Sequence, residues 1–127
     1  MTAAGAICEF MASFGLEAYD ESFVPTGELR PDFPYLTYEC PEGYFGDGDV
    51  SIAVNLWYRD GGWWERADRK AEEISRSVGR GGKLLPCTGG AVWIKRGSPF
   101  SKNLSDPNDD FIQRKYINLT AEFLTYF

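Results

Sequence analysis

Residues 50–59 alternate without a fault. Val50, Ile52, Val54, Leu56 and Tyr58 fall on one parity, and Ser51, Ala53, Asn55, Trp57 and Arg59 on the other. Successive side chains of a strand point to opposite faces, so this run predicts a strand with one face in the core. Asp60-Gly61-Gly62 breaks it, and the spacing then changes. Trp63, Ala67, Ala71, Ile74 and Val78 recur at intervals of four and three, the apolar stripe of a helix over 63–78 that Gly79 ends. Most of the charged residues between them, such as Glu65, Arg69, Glu72 and Arg76, lie off that stripe. A one-sided strand followed by a one-sided helix calls for two layers meeting at a shared apolar interface.

The flanking segments extend this pattern. Ile7, Phe10, Met11 and Phe14 make one face of a helix over 3–14, with Thr2 placed to cap it and Gly15 to follow it. That face packs either on the chain's own sheet or on a neighbouring subunit. Cys8, within this apolar stretch, reads as a small core residue. Residues 15–34 hold Pro25, Gly27, Pro31 and Pro34 and read as an extended connector pinned by Tyr19, Phe23, Val24 and Phe33. Residues 35–40 form a short strand that pairs antiparallel with 50–59 across the turn at 41–49. Residues 83–96 read as a second hairpin around Cys87-Thr-Gly-Gly90, its first arm marked as an edge by Pro86. Residues 97–110 read as a long polar loop. Residues 111–127 read as one long strand, or two with a bulge, with Phe111, Ile117, Leu119, Ala121, Phe123 and Phe127 on one parity. The expected order is α-β-β-α-β-β-β, an α+β two-layer sandwich with an antiparallel sheet and two helices on one face. A length of 127 residues makes this one domain, long enough for a core without staples.

Composition narrows the chemistry. The chain has no histidine, which removes His-activated nucleophiles and His-based metal sites. Its formal charge is −6 with no long basic run, a poor match to nucleic-acid phosphates. The three cysteines have neither zinc nor redox spacing, and read as reduced thiols. No apolar run reaches membrane-span length, and the first residues lack the basic start of a secretory signal. Gly79-Arg-Gly-Gly-Lys83 falls short of a phosphate loop: Ser77 stands where its first glycine belongs and Leu84 where Ser or Thr does. Asp47-Gly-Asp49 and the group Asp106, Asp109 and Asp110 lack the further oxygens of a calcium loop and fit turn chemistry. No catalytic, metal or cofactor residue is assigned. What stands out is aromatic: Phe, Tyr and Trp make up 16% of the chain. Adjacent helical side chains diverge by about 100°, so Trp63 and Trp64 do not share one small core site. Either one of them meets a partner, where large aromatics are enriched, or both flank the sheet. Pro99 and Phe100 sit in a polar stretch, where Phe100 either docks on a partner or folds back onto its own core.

Several segments together resemble the tail-terminator proteins of long-tailed bacteriophages, also called tail-completion or minor capsid proteins. They are Pro34-Tyr-Leu-Thr-Tyr38, Val50-Ser-Ile-Ala-Val-Asn-Leu-Trp-Tyr58, Ala71-Glu-Glu-Ile74, Gly90-Ala-Val-Trp-Ile94, Arg96-Gly-Ser-Pro-Phe100 and Arg114-Lys-Tyr-Ile-Asn-Leu-Thr-Ala-Glu-Phe123. The likeness spans most of 34–127 and consists of fold and surface pattern, without a catalytic signature. It implies a structural virion protein at the neck, no enzymatic activity and no cofactor. Such subunits close into a hexameric ring that caps the head-proximal end of the tail tube, stops its growth and meets the head connector. The implied partners are copies of itself, the major tail-tube protein, head–tail connector proteins, and phage DNA sliding through an acidic lumen without specific binding. No membrane is implied. The residues expected at subunit or tube contacts are Trp63, Trp64, Arg96, Pro99, Phe100, Asp106, Asp109, Asp110 and Arg114. Three other readings stay open. One is another neck, head-completion or tail-tube component. The second is a small α+β enzyme using carboxylates or a thiol. The third is a small-ligand regulatory domain, which would show a ligand-dependent melting shift.

Overall fold

A computed structural model describes residues 1–125; Phe127, assigned above to the last strand, lies outside them. The elements are α1 (Ala3–Ala12), β1 (Glu17–Asp20), β2 (Tyr35–Tyr38), β3 (Asp49–Tyr58), α2 (Glu65–Val78), β4 (Lys83–Cys87), β5 (Gly90–Asp106) and β6 (Asp109–Thr125). They form one six-stranded sheet in the order β1-β2-β3-β6-β5-β4. The α+β class and the two-layer arrangement expected from the sequence are present.

The centre of the sheet is the antiparallel pair β3–β6, ten residues in continuous register from Asp49↔Glu122 to Tyr58↔Gln113. Ile52 faces Leu119 and Val54 faces Ile117 across it, and all four are fully buried. These side chains meet Ala67, Ala71, Ile74 and Val78 of α2, together with the buried Ile7, Phe10, Met11 and Phe14 at α1. The apolar face of α1 is therefore used within the domain. The Thr2 hydroxyl accepts the Gly5 N–H at 3.0 Å and caps that helix. Two polar ties also bind α2 to the same face: Lys115 Nζ donates to Asp68 at 2.7 Å, and an Arg96 guanidinium nitrogen donates to the Ser75 hydroxyl at 3.0 Å.

Four sequence expectations change. The 15–34 connector contains a strand: β1 pairs in parallel with β2, so the sheet is mixed and the order gains one strand. Two short 3-10 turns, Glu21–Phe23 and Gly27–Leu29, follow it. The 97–110 loop is instead the distal half of a hairpin, because β5 runs to Asp106 and returns as β6 from Asp109. A register shift between Arg96 and Ser101 hides its alternation. Helix α2 starts at Glu65 rather than Trp63, since Gly61 and Gly62 both take positive φ and hold Trp63 in the preceding turn. Cys8 is exposed on the outer side of α1, while Cys40 and Cys87 are half-buried.

The β4–β5 turn has no room for a side chain at Gly90, whose φ is +150° and where a Cβ would come within 1.8 Å of the Leu124 carbonyl oxygen. Gly90→Ala is expected to lower unfolding free energy by more than about 2 kcal/mol, from backbone strain and forced separation of β5 from β6. Gly81→Ala meets no atom within 4 Å and is expected to leave stability nearly unchanged. Chemical denaturation of the two variants checks the difference.

Candidate interaction surfaces

Neither α1 nor α2 packs on the second face of the sheet. Two cross-strand rows run over it. One is Leu104–Arg114–Trp57–Tyr35–Glu17, and the next is Lys102–Tyr116–Asn55–Thr37–Tyr19. Directly opposed side chains of this kind are the unit of contact in a sheet. Tyr35 and Trp57 stack with centroids 6.0 Å apart, and the Arg114 guanidinium lies 5.7 Å over the Trp57 ring. Lys102 stands 5.3 Å over Tyr116, and Lys95 stands 4.7 Å over Trp93 further along β5. Such cation–ring contacts contribute about 0.5–1 kcal/mol each at exposed sites. The turn after β1 folds over the middle of this face. Glu21 accepts from the Thr37 hydroxyl at 2.6 Å, and Thr37 in turn accepts from the Trp57 indole N–H at 2.9 Å. Asn55 Nδ2 reaches the same Glu21 oxygen at 3.4 Å.

The nine residues expected at contacts do not form one patch. Trp63 is 74% exposed, whereas Trp64 is half-buried and packs against the core. The pair divides into one candidate contact and one structural residue. Phe100 folds back onto the core beside Ala71 and Ser75, while Pro99 stays exposed and accepts from Asn118 Nδ2 at 3.4 Å. Arg96 is engaged with Ser75 of α2. Asp106, Asp109 and Asp110 cluster at the tip of the β5–β6 hairpin. Asp106 and Asp109 accept the backbone N–H groups of Asn108 and Phe111, and Asp109 lies 3.4 Å from Arg59. Arg114 belongs to the open sheet face.

Sequence reasoning missed Gln113, a polar side chain 3% exposed. Its Oε1 accepts the Asp60 N–H at 2.7 Å and its Nε2 donates to the Trp63 carbonyl at 2.7 Å. This amide locks the β3–α2 turn to β6 and sets the position of Trp63. The signal was available: Gln113 lies on the parity of Ile117 and Leu119, where an apolar residue is expected. Phe111, 59% exposed, sits against the same turn, with the Gly61 N–H donating to its carbonyl at 3.1 Å and Arg59 5.6 Å over its ring.

At the far end of β3, Tyr44 and Phe45 are also exposed. Exposed large aromatics therefore stand at both ends of the β3–β6 seam. On the thiols, burial first and the nearby Asp20 charge second push Cys40 above the ordinary cysteine value, the reverse of nucleophile activation. Among the described residues no cluster of three or more acidic or cysteine side chains is arranged to hold a metal ion. No family model matches the chain, and no curated protein matches it significantly.

Gln113→Ala removes both bonds and leaves the partly buried Asp60 N–H and Trp63 carbonyl without them. It is expected to cost about 1–3 kcal/mol, measured by thermal or urea unfolding.

Proposed function

We propose that this chain is a structural subunit of a phage tail terminator. Copies associate head to tail into a ring that caps the head-proximal end of the tail tube and offers its other side to the head connector. The observation that carries the reading is the pair of exposed aromatic surfaces at opposite ends of one rigid seam: Trp63 with Phe111 at one end, Tyr44 with Phe45 at the other. A head-to-tail ring uses two different patches per subunit, and it closes when the rotation between neighbours allows. The long β5–β6 hairpin adds support. Beyond Ile94 the outer edge of β5 faces no strand among the described residues, leaving an arm able to reach a neighbour or the tube. The resemblance to tail-terminator proteins supplies the partners: the tail-tube protein, connector proteins, and DNA passing a lumen of this acidic chain, where like charge favours sliding over binding.

The proposed activity is association without turnover. Trp63 is the better probe of it, because truncating Trp64 disturbs the core. Trp63→Ala is expected to keep the wild-type melting temperature and to weaken capping, so that polymerising tail-tube subunits yield longer tubes in electron micrographs than with wild-type protein. Unchanged tube lengths would remove Trp63 from the contact. Long polymers of the isolated chain would favour a tail-tube subunit instead.

A further inference from the structure

A surface groove of about 440 Å³ opens between α2 and the junction of α1 with β1. Leu16, Pro34 and Tyr58 give it apolar walls, and Arg66, Arg69, Lys70 and Arg76 of α2 line it with positive charge, opposed within the lining by Glu73 alone. Arg66 is fixed in place: both its Nε and a terminal nitrogen bond Asp60, at 2.9 and 2.6 Å, and its guanidinium lies 5.1 Å over the Tyr58 ring. Lys70 is held by the Phe14 carbonyl at 2.7 Å and by Glu73 at 2.6 Å. Arg69 pairs with Glu65, and Arg76 makes no ion pair among the described residues. Four cations thus meet three carboxylates, in a chain whose overall charge is −6.

The complementary surface is on the same chain. Residues 39–49 hold Glu39, Glu42, Asp47 and Asp49 and no basic residue. Among these acids the ion pair is made by Asp49, with Lys95 at 2.7 Å. The segment is held in shape. The Phe45 N–H donates to the Thr125 carbonyl at 3.1 Å, the Tyr44 N–H donates to Asp47 at 2.8 Å, and Gly43 packs so closely on the Phe123 ring that a Cβ there would lie 2.5 Å from it. A preformed loop presenting an exposed tyrosine among acids loses little entropy on docking.

The two surfaces cannot meet within one molecule. Pro34 and Tyr58 lie at one end of the β2–β3 hairpin, and the 39–49 loop is its other end. Ten residues of β3 at about 3.3 Å each separate them by about 30 Å. We infer that the acidic 39–49 loop of one copy seats in the Arg66–Arg76 groove of the next, with Glu42 facing the arginines and Tyr44 against Leu16, Pro34 and Tyr58. The inference rests on the head-to-tail reading above and sets the loop's receiving surface in the groove next to the Trp63 turn, which Arg66 joins to that turn through Asp60. One surface takes the preceding copy and the other the following one, so the contact repeats around an assembly.

Charge exchange tests it. Glu42→Lys reverses the charge at the one loop position set against the arginines, and the double variant Arg69→Glu, Arg76→Glu reverses the groove; all three sites are solvent-exposed. Masses are read by light scattering on the full chain, with melting curves for each variant. Each variant alone is expected to fall to monomer mass. An equimolar mixture is expected to regain the wild-type mass, because with the two variants alternating around a ring the side chain at position 42 of each copy again faces opposite charge in the next groove. Variants that keep the wild-type mass would overturn the assignment and leave the ring reading standing, as would a mixture that fails to recover. A wild-type protein that stays monomeric at all concentrations would remove both. If a reversed variant melts early, Glu42→Gln and Arg76→Gln read the same contact. Each is expected to flatten the salt dependence of assembly, and a salt dependence equal to wild type would again exclude the groove.

Discussion

The structure depends on one seam. Antiparallel pairing of β3 with β6 over ten residues places Ile52, Val54, Ile117 and Leu119 on one side, and α2 closes over them with only Ala67, Ala71, Ile74 and Val78. Two of those four are alanines, so the helix sits close to the sheet and tolerates little change in volume. A one-residue slip of β6 would turn this whole apolar row to solvent, which specifies the register strongly. The same seam positions the candidate contact surfaces. Its Tyr58 end sets the Trp63 turn through Gln113, and its Asp49 end carries the acidic loop.

Helices α1 and α2 use one sheet face, and the other carries exposed and half-buried side chains under the Glu21 turn. Aromatic rings there are matched with cations, Arg114 on Trp57 and Lys102 on Tyr116, and the Glu21 turn ties the middle of the face together. A face of this kind is amphipathic in detail: its rings are half-covered by their own cations. The edges of the sheet are also managed. Short β1 lies along one side, and β4, with Pro86, covers only the first part of β5.

Much of the fold was legible because strong periodicity and burial agree. The parity of residues 50–58 and the stripe Ala67, Ala71, Ile74, Val78 are reproduced side chain by side chain. The failures have local causes. Trp63 fits the helical spacing, but after two glycines at positive φ it lies two residues before the helix begins at Glu65. Residues 97–106 are half-exposed on both sides and interrupted by a register shift, so neither apolar alternation nor continuity marks them as a strand. β1 is four residues long and pairs in parallel with a segment reached only after a long connection, a partnership that short-range sequence does not encode. The candidate surfaces were legible in part. Exposure of Trp63 was one of two readings, and the structure separates it from Trp64. The groove beneath α2 was not legible, since it joins residues from four separate segments, Leu16, Pro34, Tyr58 and the charged side of α2.

The proposed mode of action is association of this polypeptide with copies of itself. Sedimentation-velocity ultracentrifugation of the wild-type chain over a wide concentration range tests it most directly. The expected result is a discrete species at a small integer multiple of the 14.3 kDa subunit, with no growth beyond it as concentration rises. A single 14.3 kDa species at every concentration would contradict it.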